Sequence, residues 1–198
     1  MLWRLDTRIY VHGVDRPRRG DRPLGCIIGK NPGSALPASA SVDTAIRPPA
    51  VLQSIELGRD RFLPTVRAIV RKSYHRAGLE WPERQFVQVL NLFYLCNRNL
   101  REAKVQVAGI DDPVACPGER RRMPWTWFAW GGPDRQLDPL KQRFSRRRWQ
   151  SPFFYDTASG IARQRLPGKN DHARHTQGMA HGEIVDLLAG LLKEQTRV

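Results

Sequence analysis

The run Ile28-Gly29-Lys30-Asn31-Pro32-Gly33-Ser34-Ala35 sets residues able to do chemistry among residues that let a ligand come close. Small residues at Gly29, Gly33 and Ser34 permit near approach of the backbone. The Asn31 amide can hold a water in line with an electrophilic carbon, such as the anomeric carbon of a sugar. Asn-Pro-Gly is equally a turn sequence, because Pro32 removes a backbone donor and Gly33 tolerates positive φ, so a structural role stands beside the chemical one. Lys30 adds an amine that could form a Schiff base with a carbonyl carbon. Near the other end of the chain lie His172, His175 and His181. A metal site is one reading of them, but no acidic or Cys partner stands at ligand spacing, and neither a metal nor an organic cofactor is expected. A His beside Arg174 can instead touch phosphate.

The charge balance points to the partner. Lys and Arg number 33 against 19 Asp and Glu, a net charge of +14. Most of the positive charge is Arg, whose planar fork suits phosphate, so a polyanion and first of all a nucleic acid is expected. A solvated basic surface or an anionic membrane surface is the plainer alternative. The clusters Arg120-Arg121-Arg122 and Arg146-Arg147-Arg148 are candidates for tracking a phosphate backbone, although charge runs are commonly only solvated faces. At 40% hydrophobic residues over 198 positions, the composition is that of one globular domain rather than of a disordered chain. Cys26, Cys96 and Cys116 form no Cys-x-x-Cys pair and no even set, which excludes a disulfide framework or a zinc site. The segment Met1 to Asp6 lacks the apolar stretch of a signal peptide, and no run approaches ~18 apolar residues. A monomer in a reducing cytoplasm is expected.

The elements that must position these residues follow from periodicity. Thr7 to Val14 reads as a short strand, which a basic Pro/Gly turn joins as a hairpin to the apolar run Leu24 to Gly29. Asp60 to Ala77 places Phe62, Val66, Ile69, Val70 and Tyr74 at helical spacing and closes on Gly78. Phe86 to Leu90, Trp125 to Trp130 and Phe153 to Asp156 are further strands, and Gly182 to Glu194 is an amphipathic helix. Strands alternating with helices imply an α/β three-layer sandwich around a mostly parallel sheet of four to five strands. Ligands bind such sheets beyond the carboxyl ends of the strands, where Lys30 to Ala35, Asn91 to Arg98 and Gly131 to Pro133 are expected to gather.

Taken in order, these islands resemble the uracil-DNA glycosylase superfamily. Gly29-Lys30-Asn31-Pro32-Gly33 is similar to the Gly-Ile-Asn-Pro-Gly motif of the mismatch-specific uracil glycosylases, whose Asn positions the attacking water. Val89-Leu90-Asn91-Leu92-Phe93, followed by Cys96-Asn97-Arg98, is similar to a second strand-end segment whose Asn reads the edge of the flipped base. Phe128-Ala129-Trp130-Gly131-Gly132 resembles the superfamily's later strand with its Gly-rich turn. His172-Ala173-Arg174-His175-Thr176-Gln177-Gly178 stands where the superfamily has His-Pro-Ser, with Thr176 and Gln177 in place of Pro and Ser. The order Asn31-Pro32-Gly33-Ser34, Val42-Asp43-Thr44-Ala45-Ile46-Arg47, Asn91-Leu92-Phe93 also resembles an uncharacterised bacterial family of that fold. Asp43 could orient a water, or pair with Arg47 at the surface.

The resemblance implies a monofunctional DNA glycosylase that leaves an abasic site by base excision. Cleavage of the bond builds positive charge on the sugar and negative charge on the departing base. Asn31 would hold the water, and His175, or His172 in its stead, would stabilise the base. The base must be flipped out of the stack. Gly29, Lys30, Gly33, Ser34 and Asn91 would surround it, with Phe93 or Tyr94 as the stacking face; Trp130 is more simply read as core. Arg98, Arg146, Arg147, His172 and Arg174 would contact the DNA backbone. Small pyrimidine lesions would make the enzyme one of DNA repair, and bulky modified pyrimidines of phage DNA would make it one of antiviral defence. The alternative is a catalytically inactive nucleic-acid-binding module of the same fold.

Overall fold

The computed structural model describes residues 3–10, 17–33, 62–110, 114–176 and 179–196. Six strands form one sheet: β1 (Thr7–Tyr10), β2 (Arg22–Gly29), β3 (Gln85–Asn91), β4 (Thr126–Phe128), β5 (Pro152–Asp156) and β6 (Ile161–Arg163). Their spatial order is β1-β3-β2-β4-β5-β6. Four helices accompany them among the described residues: α1 (Phe62–Ala77), α2 (Leu100–Ala108), α3 (Asp138–Ser145) and α4 (Gly182–Gln195). The chain is therefore α/β, with a mixed sheet.

The central strands are sorted by their side chains. In β2, Leu24 to Gly29 is buried throughout, as a strand with parallel neighbours and a helix layer on each face must be. Successive residues go to opposite cores. Ile27, Val89, Trp127 and Phe153 meet Val66, Ile69 and Val70 of α1 and Ile184, Leu188 and Leu191 of α4. Ile28, Leu90, Phe128 and Phe154 meet Ala103 and Val107 of α2 and Phe144 of α3. The 3.6-residue stripe of α1 and α4 thus covers one face, and the two shorter helices cover the other. Close packing fixes one glycine: a Cβ on Gly25 would lie 2.1 Å from the ring of Trp125.

Two expectations about the sheet need correction. It has six strands rather than four or five, and it is mixed rather than mostly parallel. The pairings β3·β2, β2·β4 and β4·β5 are parallel, but β1 runs antiparallel to β3 and β6 antiparallel to β5. The expected hairpin between the first two strands does not form, because β1 lies beyond β3, with Thr7 opposite Val89 and Tyr10 opposite Phe86. Asp21 helps to hold that arrangement, accepting from the Tyr10 hydroxyl at 2.7 Å and from Arg84 Nε at 2.9 Å. No described helix is long and apolar enough to cross a membrane.

Candidate functional site

Parallel central strands deliver their carboxyl ends to one edge of the sheet. The backbone there is stitched together: Leu92 N donates to Gly29 O at 3.0 Å, Phe93 N to Lys30 O at 3.3 Å and Ala129 N to Ile28 O at 2.8 Å. The segment from His172 to His175 crosses the same edge. Gly131 N donates to Ala173 O at 2.6 Å, Arg174 N to Tyr155 O at 3.0 Å and Thr157 N to His172 O at 3.2 Å. Residues from opposite ends of the chain thereby share one cleft of about 410 Å³, lined by Lys30, Gly131, Arg174 and His175.

Two consecutive glycines make room for two side chains, those of Lys30 and His172. Gly131 has φ +89°, and a Cβ there would lie 2.6 Å from Lys30 Cε and 2.9 Å from Nζ. A Cβ on Gly132 would lie 2.8 Å from His172 Nδ1. Lys30 and His172 are therefore laid directly over the Gly-Gly turn that ends the β4 segment. The ring of His175 packs on that of Phe62 at 4.6 Å.

The two asparagines occupy different environments. Half-buried Asn31 donates from Nδ2 to Asn97 O at 3.0 Å, which ties the β2 exit loop to the β3 exit loop. Its Oδ1 has no partner among the described residues and offers the chemistry of an acceptor. Asn91 is 2% exposed, and its Oδ1 lies 3.1 Å from where a Cβ on Gly29 would be. Its buried Nδ2 has no hydrogen-bond partner among the described residues. An orphaned buried donor of this kind costs about 1–3 kcal/mol.

Sequence reasoning missed Lys141. It is 6% exposed, and its ammonium donates to Gly132 O at 2.8 Å, so it supports the glycine turn from the α3 side. Burial lowers its pKa and the charge of Lys30 adds to this, while Asp138 and Asp134 oppose it. Burial works against the ionised form of Asp134, but a hydrogen bond from Lys104, at 3.1 Å, and the charge of Lys30 hold its carboxyl below the usual range. The sequence did carry a signal: Leu137, Lys141 and Phe144 share helical spacing and burial, which puts a lysine on an apolar stripe.

Other expected site residues lie elsewhere. Phe93 and Tyr94 are each 1% exposed in the core beneath α2 and α3, and neither lines the cleft. The Tyr94 hydroxyl donates to Glu119 Oε1 at 2.7 Å, and burial pushes its pKa up. A base could stack on either ring only by displacing this packing. Trp130 is core, as its apolar setting implies, packed edge-on against Phe128 at 4.8 Å. Arg147 was expected on DNA and is instead committed inward: it pairs with the buried Glu119 at 2.9 Å and also donates to the Glu119 carbonyl. Arg143 completes that cluster, 3.3 Å from Oε1. Arg98, Arg146 and His172 are exposed. Gly33 follows Pro32 with φ +68°, as its turn role requires. Ser34, Asp43 and Arg47 lie outside the described residues. Among the described residues no group of three or more His, Cys, Asp or Glu side chains could hold a metal ion. Comparisons with protein-family models, with curated proteins and with solved structures give no match.

Proposed function

We propose that this chain is a DNA glycosylase that hydrolyses the bond between a damaged or modified base and its sugar, on a three-layer plan like that of the uracil-DNA glycosylases. The observation that carries the reading is the shared cleft: Lys30, at the end of β2, meets His175 and Arg174, from a distant segment, across Gly131, while Asn31, the next residue along, is tied to Asn97 O and does not itself line the cleft. Asn31 Oδ1 accepts a hydrogen bond from the attacking water and aligns it with C1′. His175 donates to the departing base as negative charge develops on it. The orphaned Nδ2 of Asn91, 2% exposed and outside the cleft lining, supplies a donor to the base edge once base entry opens the packing above it. Arg174 at the rim, with Arg98 and Arg146 on the surface, contacts phosphates, in keeping with the +14 charge.

The substrate class is read from Thr176 and Gln177 in place of Pro and Ser and from small residues in the β2 exit loop. These favour an enlarged pyrimidine, such as phages install, over plain uracil. Base release from DNAs carrying uracil, mismatched thymine, alkylated bases, and hydroxymethylated or glucosylated pyrimidines tests the reading. Release from at least one member by the wild type, lost in Asn31→Ala, supports it. A second reading, a module that binds DNA without chemistry, is favoured by the enclosure of Phe93 and Tyr94. It predicts no release from any member and salt-sensitive binding that Asn31→Ala leaves unaltered.

A further inference from the structure

We infer that Lys30 is a nucleophilic amine that forms a Schiff base with C1′ of an abasic sugar, adding strand cleavage to base removal. The inference rests on the glycosylase reading for the origin of the abasic site, but not for the chemistry that follows. Its support is geometric. Lys30 leaves the carboxyl end of a central strand, lines the same cleft as His175, and occupies the space a side chain at Gly131 would fill, with Nζ 2.9 Å from that Cβ position. Its backbone is fixed by Phe93 N at 3.3 Å. Among the described residues its ammonium makes no hydrogen bond or ion pair. The other lysine at the turn is excluded as the nucleophile, because Lys141 is buried and donates to Gly132 O. Lys141 instead holds the turn over which Lys30 lies. Burial, with Lys30's charge adding to it, lowers the pKa of Lys141 itself.

The step balances without an oxidant or reductant. Once the base has left, the ring-opened sugar presents an aldehyde at C1′. The unprotonated Lys30 Nζ adds to that carbon, water departs, and an iminium joins protein to DNA. A proton then leaves C2′ for a base in the cleft, which His175 lines, and the C3′–O bond breaks with its electron pair going to the 3′ phosphate. Hydrolysis of the conjugated imine returns the free lysine.

The test uses the full chain, DNA bearing one preformed abasic site, and cyanoborohydride, which reduces an iminium to a stable amine. The wild type is expected to give a covalent adduct on a denaturing gel, with the modified peptide mapping to Lys30. Lys30→Ala should lose it. Lys30→Arg keeps the positive charge, stays protonated at all working pH and should also lose it while still binding the DNA. Lys193→Ala, on the exposed last turn of α4, controls for general amine reactivity. An adduct that persists in Lys30→Arg, maps to another amine, or never forms with the wild type overturns the inference. A wild type that releases a base from intact DNA but traps no adduct removes the lysine step and leaves the glycosylase. One that traps an adduct at Lys30 but releases no base from the panel does the reverse.

Discussion

Replacing Arg147 by Ala separates an internal role from a DNA-binding one. Glu119 has a side chain 1% exposed, held by Arg147 at 2.9 Å, by Arg143 at 3.3 Å and by the Tyr94 hydroxyl at 2.7 Å. Breaking a buried pair by removing one partner costs about 3–5 kcal/mol, since it strands the remaining charge. Here two partners stay, and Arg147 is itself 32% exposed, so water screens part of the interaction and the estimate falls to about 2–3 kcal/mol. At roughly 2–4 °C per kcal/mol for a chain of this size, the midpoint of thermal unfolding should drop by roughly 4–12 °C. Calorimetry or circular dichroism gives that number. The companion measurement is the salt dependence of DNA binding, whose slope becomes shallower by about 0.9 for each phosphate the protein ceases to neutralise. Arg147→Ala should leave the slope unaltered, whereas exposed Arg146→Ala should lower it by about one and change stability by no more than about 0.5 kcal/mol. If Arg147→Ala melts within about a degree of the wild type while the slope falls by about one, the ion-pair argument is refuted and Arg147 is a phosphate contact.

Gly131→Ala forces an L side chain into positive φ at about 1–2 kcal/mol and displaces the end of Lys30, so base release should fall far more than the modest loss of stability explains. Asn91→Leu removes an orphaned buried donor and should hold or raise the unfolding midpoint while reducing base release; a large fall in stability would mean that the amide has an internal partner. Burial pushes the Cys26 thiol up to about 12. At pH 8 its thiolate fraction is then roughly one in ten thousand, so mass spectrometry after alkylation should show the half-buried Cys96 modified well before Cys26. The hydrogen bonds from Arg165 hold the Asp171 carboxyl below the usual range against partial desolvation. A carboxylate with a depressed folded pKa stabilises above its unfolded pKa of about 4 and loses that contribution as pH falls through the folded value. Asp171→Asn should therefore lower the unfolding midpoint at pH 7 and leave it nearly unaltered at the acid end of a pH series.

What could be read without the structure was whatever a local pattern encodes. The long apolar runs of β2 and β3, the helical spacing in α1 and α4, and the Gly/Pro punctuation that stops β2 at Lys30 to Gly33 are all written in neighbouring residues, so the elements appear within a few positions of where they were expected. Short elements with little buried surface were not legible. In α2 only Ala103 and Val107 are buried, and the cap made by Asn99 with Glu102 was its one clear mark. In α3 a lysine takes an inner position that pattern reasoning reserves for apolar residues. The strand β6 has an exposed Ile161 at its start and no fully buried residue. Pairing was decided only by the tertiary fold: nothing near Thr7 to Tyr10 says that its partner is β3, with Thr7 set opposite Val89 far along the chain, rather than the next strand along.

The candidate site divides along the same line. The Lys-Asn-Pro-Gly loop and the His-rich segment were each visible as residues suited to chemistry, yet the meeting of Lys30 with Arg174 and His175 across Gly131 depends on strand order and on backbone bonds from Gly131 to Ala173 and from Arg174 to Tyr155. Arg146 and Arg147 are the same residue type one position apart. One faces water and the other a buried Glu119, because successive residues at the end of a helix turn about 100° from each other, and only the packed fold puts a carboxylate on one of those sides.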